Sequence, residues 1–236
     1  MNKELVMICL VGMLGLFLVF GPMRINVGGV DSAKIDAAAE VFSEAIGNPE
    51  GGIPESVLEQ AVAIVVVPGV FHGSILYERG YGDGIVIVRT EEGTWSKPSF
   101  IKFLDRSEAK GKVGSDNVIL IFNDRKSIAL FKSGRFVLGR DISATAGFVT
   151  GRAENKAEER AHAGVYFYGM ADGRLRGIAI GQVELQVNDW ANRSFYSSRD
   201  VTFDMLLAKE GPMAVPVAAS RFVCIVARYG NAGRTC

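Results

Sequence analysis

The fold is decided by the stretch AVAIVVVPGVFHGSILYERGYGDGIVIVR, which covers residues 61–89. It begins with a β-branched run, Ile64–Val67, that stops at Pro68-Gly69, and it finishes with a second apolar run, Ile85–Val88. Short apolar runs bounded by turn residues predict two buried strands. Five glycines lie between the runs, and this density suits tight turns and bulges better than helix. The stretch therefore predicts a glycine-bounded hairpin.

The same glycines allow a second interpretation, in which the loop cradles a phosphate group. A nucleotide-binding loop of that kind continues with Lys and Ser or Thr and then opens a helix. Neither feature follows Gly84. We therefore favour the hairpin without chemistry of its own.

Blocks downstream of the hairpin connect the chain to a known family. The hairpin itself reads as an apolar strand ending in Pro, a glycine-rich turn, a G-x-G and an apolar strand ending in Arg. The later blocks are WSKPSF (95–100), GSDNVILIFN (114–123), LGRDISATAG (138–147) and NRSFY (192–196). Together the hairpin and these blocks resemble the SYLF family of lipid-binding domains, from Ile53 to about Ala227. The resemblance implies a non-enzymatic module that binds phospholipid at a membrane, and eukaryotic members also contact phosphoinositides and actin.

Size and charge limit the classes of function open to the chain. With 236 residues, 48% of them hydrophobic, it can bury one sizeable core. The 26 basic residues equal the 26 acidic ones, so no overall field attracts nucleic acid, and attraction to an anionic partner requires a local patch. Three cysteines are too few for a disulfide scaffold. We predict one domain over residues 31–236, preceded by an appendage over residues 1–30.

The appendage contains an apolar run of about 17 residues, Leu5–Gly21. This length is at the short edge of what spans a bilayer and exceeds most signal-peptide cores. The run predicts either an uncleaved membrane anchor or a cleaved signal peptide. The charges of Lys3, Glu4 and Arg24 do not fix an orientation. In either case we expect a membrane-associated protein whose folded domain is extracytoplasmic, in the periplasm or at an organelle membrane.

We expect an α+β fold with a curved, mainly antiparallel and barrel-like sheet, flanked by N- and C-terminal helices. Parallel winding is disfavoured because few gaps between the strands are long and helical enough for crossovers. The pattern predicts helices over residues 33–46 and 54–61, and a helix or a strand over residues 215–228. The small-residue run Ser143–Gly147 is predicted to form a strand packed against the glycine-rich hairpin.

A search for catalytic chemistry finds little. The two histidines, His72 and His162, have no ligand partners at metal-binding spacing, and the cysteines lack a base partner in sequence. Asp83, Asp116 and Asp141 could form paired acids, but turn and cap roles explain them more simply. We therefore expect no enzyme activity, no metal and no cofactor.

Basic residues in loops indicate where an anionic phospholipid membrane would bind, because each one near such a surface adds about 1 kcal/mol of attraction. A scaffold or subunit role in a membrane complex, with protein partners, is the alternative. The headgroup candidates are Lys97, Lys102, Lys110, Lys112, Arg174 and Arg176.

Overall fold

The computed structural model describes most of the chain from residue 27 onward. The described residues are 27–49, 51–72, 80–106, 117–147, 149, 164–178, 182–208 and 214–230.

Helices and strands alternate irregularly along the chain. In chain order they are α1 (Val27–Ile46), α2 (Glu55–Glu59), β1 (Ala63–Val67), β2 (Phe71–His72), β3 (Gly80–Val88), β4 (Ser99–Asp105), β5 (Asn117–Phe122), α3 (Lys126–Lys132), β6 (Arg135–Leu138), β7 (Ala144–Ala146), β8 (Val165–Ala171), β9 (Arg174–Gly177), β10 (Val183–Val187), α4 (Asp189–Phe195), α5 (Phe203–Leu207) and α6 (Val217–Gly230).

The strands form one sheet in the order β6-β10-β4-β3-β1-β5-β8-β7, with β2 paired to β3 and β9 paired to β8. The two apolar runs of the deciding stretch are neighbours in this sheet, with Ile64 opposite Ile87. β7 pairs with β8 in parallel, and the other pairings of the named strands are antiparallel. The prediction of an α+β fold with a mainly antiparallel sheet is confirmed.

The sheet is so strongly curved that side chains from its opposite walls come into contact. Phe103 of β4 and Phe167 of β8 are separated by three intervening strands, which would place them roughly 19 Å apart in a flat sheet. Their ring centroids are 6.4 Å apart. The face that carries these rings is therefore the inside of a nearly closed barrel, and the barrel-like prediction is confirmed as well.

Strand alternation divides the core into two layers. Residues such as Val65, Phe103 and Leu185 fill the inner layer. Ile64, Phe100 and Tyr168 point to the outer face, where they pack against buried residues of the helices α1, α2, α4 and α6. The continuous burial of β1 follows from this arrangement, because both of its faces are covered.

The two ends of the barrel differ. Phe131 of α3 and Phe203 of α5, whose ring centroids are 5.9 Å apart, belong to the inner cluster and pack over one end. We call this the helical end. At the opposite end β3 begins and β4 and β8 finish, and we call it the hairpin end.

The terminal stretch that the sequence left open between helix and strand is the helix α6. Its last carbonyl, on Gly230, accepts a hydrogen bond of 2.7 Å from the guanidinium of Arg89 at the end of β3. That guanidinium also lies 5.0 Å from the ring centre of Trp95. Because a cation is favoured at a helix C-terminus, Arg89 holds α6 against the sheet.

The run Ser143–Gly147 does form a strand, but the predicted partner is wrong. β7 lies beside β8, and the two hairpin strands, β1 and β3, have β5 and β4 as their outer neighbours. The small residues are needed for another reason. A Cβ on Gly147 would overlap the ring of Tyr168, and a Cβ on Gly177 would overlap the carbonyl of Gly147.

We expect Gly177→Ala to destabilise the fold by about 3 kcal/mol, because the clash is with backbone that cannot rotate away. Chemical denaturation of the variant measures this loss. Gly93→Ala is the control: Gly93 has an uncommon backbone conformation, with φ of 79°, which Gly177 does not have, and its added methyl group would meet open space. Its cost should be about 1 kcal/mol. Equal costs for the two variants would contradict the packing argument.

Candidate functional site

The predicted headgroup residues do not form one patch. Lys97 lies at the helical end, where its ammonium donates a 2.7 Å hydrogen bond to the carbonyl of Ala208. This contact fixes the residue that follows α5, which is a structural role. Lys110 and Lys112 lie outside the described residues. The other three candidates lie on two different faces of the sheet.

Lys102 is exposed on the outer face of β4. Its neighbour on β3 is Asp83, but the carboxylate of Asp83 forms its ion pair, at 2.7 Å, with Lys34 of α1 and not with Lys102. Within the described part of the chain, Lys102 forms no ion pair or side-chain hydrogen bond of its own. It is therefore available to an anionic group from outside.

Lys102 lies in a groove of about 890 Å³ between α1 and the outer face of β3, β4 and β10, which we call the α1 groove. Apolar side chains form much of its lining. The polar groups are few and lie along the strands. The lining residues are Ala33, Lys34, Ala37, Pro68, Gly69, Phe71, Tyr81, Gly82, Asp83, Lys102, Phe103, Leu104, Glu184 and Gln186.

Two aromatic rings stand at the end of this groove. Phe71 and Tyr81 are opposite each other in the β2–β3 pairing, their ring centroids are 5.1 Å apart, and each residue is 54% exposed. Two exposed rings in contact form a small apolar patch, and such patches mark candidate contacts with another molecule. The sequence reasoning missed this pair, although an aromatic residue on each side of the glycine turn was the available signal.

Arg174 and Arg176 lie on the opposite face of the sheet from Lys102. Both are exposed on β9, where the buried Leu175 between them belongs to the outer layer. Strand alternation therefore directs the two arginines to the inner side, at the hairpin end. They line a second cavity of about 630 Å³ together with Asp172. Lys102 and this pair are thus separate sites.

A buried carboxylate organises the floor beside Lys102. Glu184 of β10 accepts hydrogen bonds from Arg106 and from Arg135, whose Nε lies 2.7 Å from Oε1. Burial by itself would raise the pKa of Glu184, but the two guanidinium groups outweigh it and hold the pKa below its ordinary value. The charge of this glutamate is therefore already neutralised within the protein.

The acidic residues considered for catalysis have structural partners or cannot be placed. Asp83 pairs with Lys34, and Asp141 accepts a 2.7 Å hydrogen bond from the backbone N–H of Val137. The Arg140 guanidinium, together with that backbone bond, lowers the pKa of Asp141. Asp116 and His162 lie outside the described residues, and so does the loop after His72. Among the residues that the structure describes, no three His, Cys, Asp or Glu side chains come together to hold a metal ion.

Comparison with known proteins now adds to this geometry. Residues 113–229 match the model of the Ysc84 family, described as Las17-binding protein actin regulator, which is the SYLF domain. The chain carries a SYLF-family domain. The resemblance seen in the sequence is therefore confirmed. The family is described as an actin regulator and not by a catalytic activity.

Three curated relatives show the extent of the similarity. Protein YSC84 of Saccharomyces cerevisiae is 29% identical over 180 residues, which is 74% of this chain and 37% of that protein. SH3 domain-containing YSC84-like protein 1 of Xenopus laevis is 31% identical over 182 residues, 76% of this chain and 54% of that protein. Its human counterpart is 29% identical over 160 residues, 67% of this chain and 46% of that protein. The chain thus spans about a third to a half of these relatives. No solved structure matches.

The comparison corrects the predicted location. An extracytoplasmic domain is wrong, because the family is described by actin regulation and the relatives are named for YSC84 and SH3 domains. In the described ranges, no helix combines the length and the apolar character needed to cross a bilayer. The run Leu5–Gly21, on which the prediction of an anchor or signal peptide depended, lies outside those ranges.

We expect Glu184→Gln to lower the free energy of unfolding by roughly 1–3 kcal/mol at pH 7, because two arginines lose a charged acceptor. The native state holds the pKa of Glu184 below 4.5, so the unfolded state binds the proton more readily. The contribution is therefore complete above pH 4.5 and is lost as the pH falls through the native pKa. Denaturation at a series of pH values should show the two proteins converging in acid.

Asp204→Asn is the control for this experiment. Asp204 pairs with Lys132 at 2.8 Å, but its side chain is 65% exposed, so its loss should cost below about 0.5 kcal/mol. A difference between wild type and Glu184→Gln that stays constant from pH 7 to acid would contradict the assigned role of the Glu184 charge.

Proposed function

We propose that this chain is a non-enzymatic module that binds anionic phospholipid membranes through the hairpin end of its barrel. One observation carries the proposal: the strand registers bring an exposed aromatic pair and two exposed arginines to the same end of the sheet. The family resemblance to lipid-binding domains points in the same direction.

The strand registers give the positions of the aromatic pair and the arginines along the barrel. A single row of paired residues crosses five strands through Ile85, Val66, Ile119, Tyr168 and Gly177. Tyr81 lies four residues from this row along β3, and Arg174 lies three residues from it along β9. Because β3 and β9 both run away from the hairpin end, these two displacements are toward the same end of the barrel.

The chemistry of the two groups is complementary at a lipid surface. Aromatic side chains settle at the level of the headgroups, where one part is apolar and another is wet. Arginine pairs with phosphate through two parallel N–H donors, and each basic residue near an anionic surface contributes about 1 kcal/mol. Since the whole chain has no net charge, such a local group is what would attract an anionic membrane.

We expect Arg174→Gln with Arg176→Gln to weaken binding of the full chain to phosphatidylserine-containing vesicles by about 30-fold, equivalent to about 2 kcal/mol. Binding by the wild type should decline with added salt, because the attraction is between charges near water. Vesicle co-sedimentation with anionic and with neutral phosphatidylcholine vesicles measures both effects.

The control removes the same charge at the helical end, through Arg125→Gln with Lys126→Gln. Both residues are exposed on or beside α3, so the fold should tolerate their replacement. This variant should bind as the wild type does. Wild-type binding that ignores lipid charge and salt, or equal losses in the two double variants, would refute the proposal.

A second function, contact with a protein partner, is favoured by Trp190. This residue stands in the first turn of α4 and is 68% exposed. Tryptophan is enriched among the residues that dominate protein interfaces. The family description names Las17 binding and actin regulation, so actin filaments are the partner to test.

We expect the chain to co-sediment with purified actin filaments and Trp190→Ala to weaken this binding by about tenfold or more, because truncation of an interface tryptophan removes a large buried area. Phe71→Ala, at the hairpin end, is the control and should leave filament binding unchanged. The absence of co-sedimentation for the wild type would eliminate actin as the partner of this surface.

A further inference from the structure

The α1 groove has the features of a site for one small molecule. Its volume of about 890 Å³ falls within the range of about 300–1,000 Å³ that ligand sites occupy. Such sites combine a mostly apolar lining with a few convergent polar groups. The groove lies on the outer face of the sheet, away from Arg174 and Arg176, and shares with the membrane surface described above the aromatic pair Phe71 and Tyr81.

The shape of the groove follows from the residues of its walls. Ala33 and Ala37 are one helical turn apart on α1 and present only methyl groups to it. The floor runs from β3 across β4 to β10, a distance of roughly 10 Å over two strand spacings. The space between helix and floor therefore extends across three strands.

The charges of the groove are distributed unevenly along its length. Asp83 is paired with Lys34, and Glu184 is shared by two arginines. Of the described cations that line the groove, Lys102 is the one without a carboxylate partner. The groove therefore offers an ammonium on its middle strand, β4, and apolar rings, Phe71 and Tyr81, at its β3 edge. A ligand with a negative head and an apolar tail matches these two groups.

We propose that the α1 groove binds a single long-chain carboxylate, with its acyl chain under α1 toward Phe71 and Tyr81 and its carboxylate against Lys102. The charge of the site favours a carboxylate as the head of the ligand, since the unpaired ammonium of Lys102 attracts an anion and disfavours a cation. The apolar lining accounts for the tail. The Lys34–Asp83 ion pair crosses from helix to sheet and keeps the groove bounded on that side.

Isothermal titration of the full chain with dodecanoate, below its micelle concentration, tests the proposal. We expect one molecule to bind per chain, and we expect Lys102→Gln to weaken binding by about tenfold through loss of the charged contact. Ala33→Leu should abolish binding, because its larger side chain enters the groove from an exposed helix position that Leu suits well. Lys126→Gln removes the same charge at the helical end and should leave binding unchanged.

Two further measurements separate a true site from general attraction. Dodecanol has the same tail without the charge and should bind at least about tenfold more weakly to the wild type. The carboxyl carbon of bound ¹³C-labelled dodecanoate should titrate at lower pH in the wild type than in Lys102→Gln, because a nearby cation lowers the pKa of a carboxyl group.

The proposal is overturned if dodecanoate does not bind, if several molecules bind per chain, or if Ala33→Leu binds as the wild type does. Equal binding of dodecanol would overturn it as well. Its failure can be told apart from failure of the membrane proposal. The variant with both Arg174→Gln and Arg176→Gln should lose vesicle binding and retain dodecanoate binding, whereas Ala33→Leu should show the reverse.

Discussion

The close approach of two backbones at Gly147 and Gly177 is the constraint on which the barrel depends. Side chains at either position would force β7 and β9 away from Tyr168, whose ring fills the space between the sheet and its outer layer. This approach lies against β8, the strand whose Phe167 meets Phe103 across the inside of the curled sheet. Both candidate sites are set by this curvature, since it separates an inner from an outer face.

The sequence was sufficient for those parts of the fold that depend on local pattern. Apolar β-branched runs became β1, the end of β3, and β5, because any strand covered on both faces needs such residues. The partner of β7 could not be predicted, since it depends on Tyr168 and Gly177, which lie far along the chain. Pairing between distant segments leaves little trace in local composition.

For the candidate sites the sequence identified the basic residues but not their surroundings. Lys97 and Lys102 look alike in the sequence, yet one ammonium holds a carbonyl of the chain and the other opens into a groove. Arg174 and Arg176 point away from Lys102 because of strand alternation and pairing, which requires the register to be known. Phe71 and Tyr81 are exposed because they lie where the sheet ends. The position of that end cannot be predicted from the local sequence around either residue.

The strand order has a consequence for how the molecule assembles. β10 is the last of the described strands, yet it lies between β4 and β6, which both precede it by many residues. The sheet therefore stays incomplete until residues 183–187 have been synthesised. Until then the edges of β4 and β6 have unpaired backbone amides and carbonyls. Contacts between such distant segments slow folding and prolong the exposure of unpaired, aggregation-prone strand edges. During synthesis this domain therefore acquires its native state only after residues 183–187 have left the ribosome.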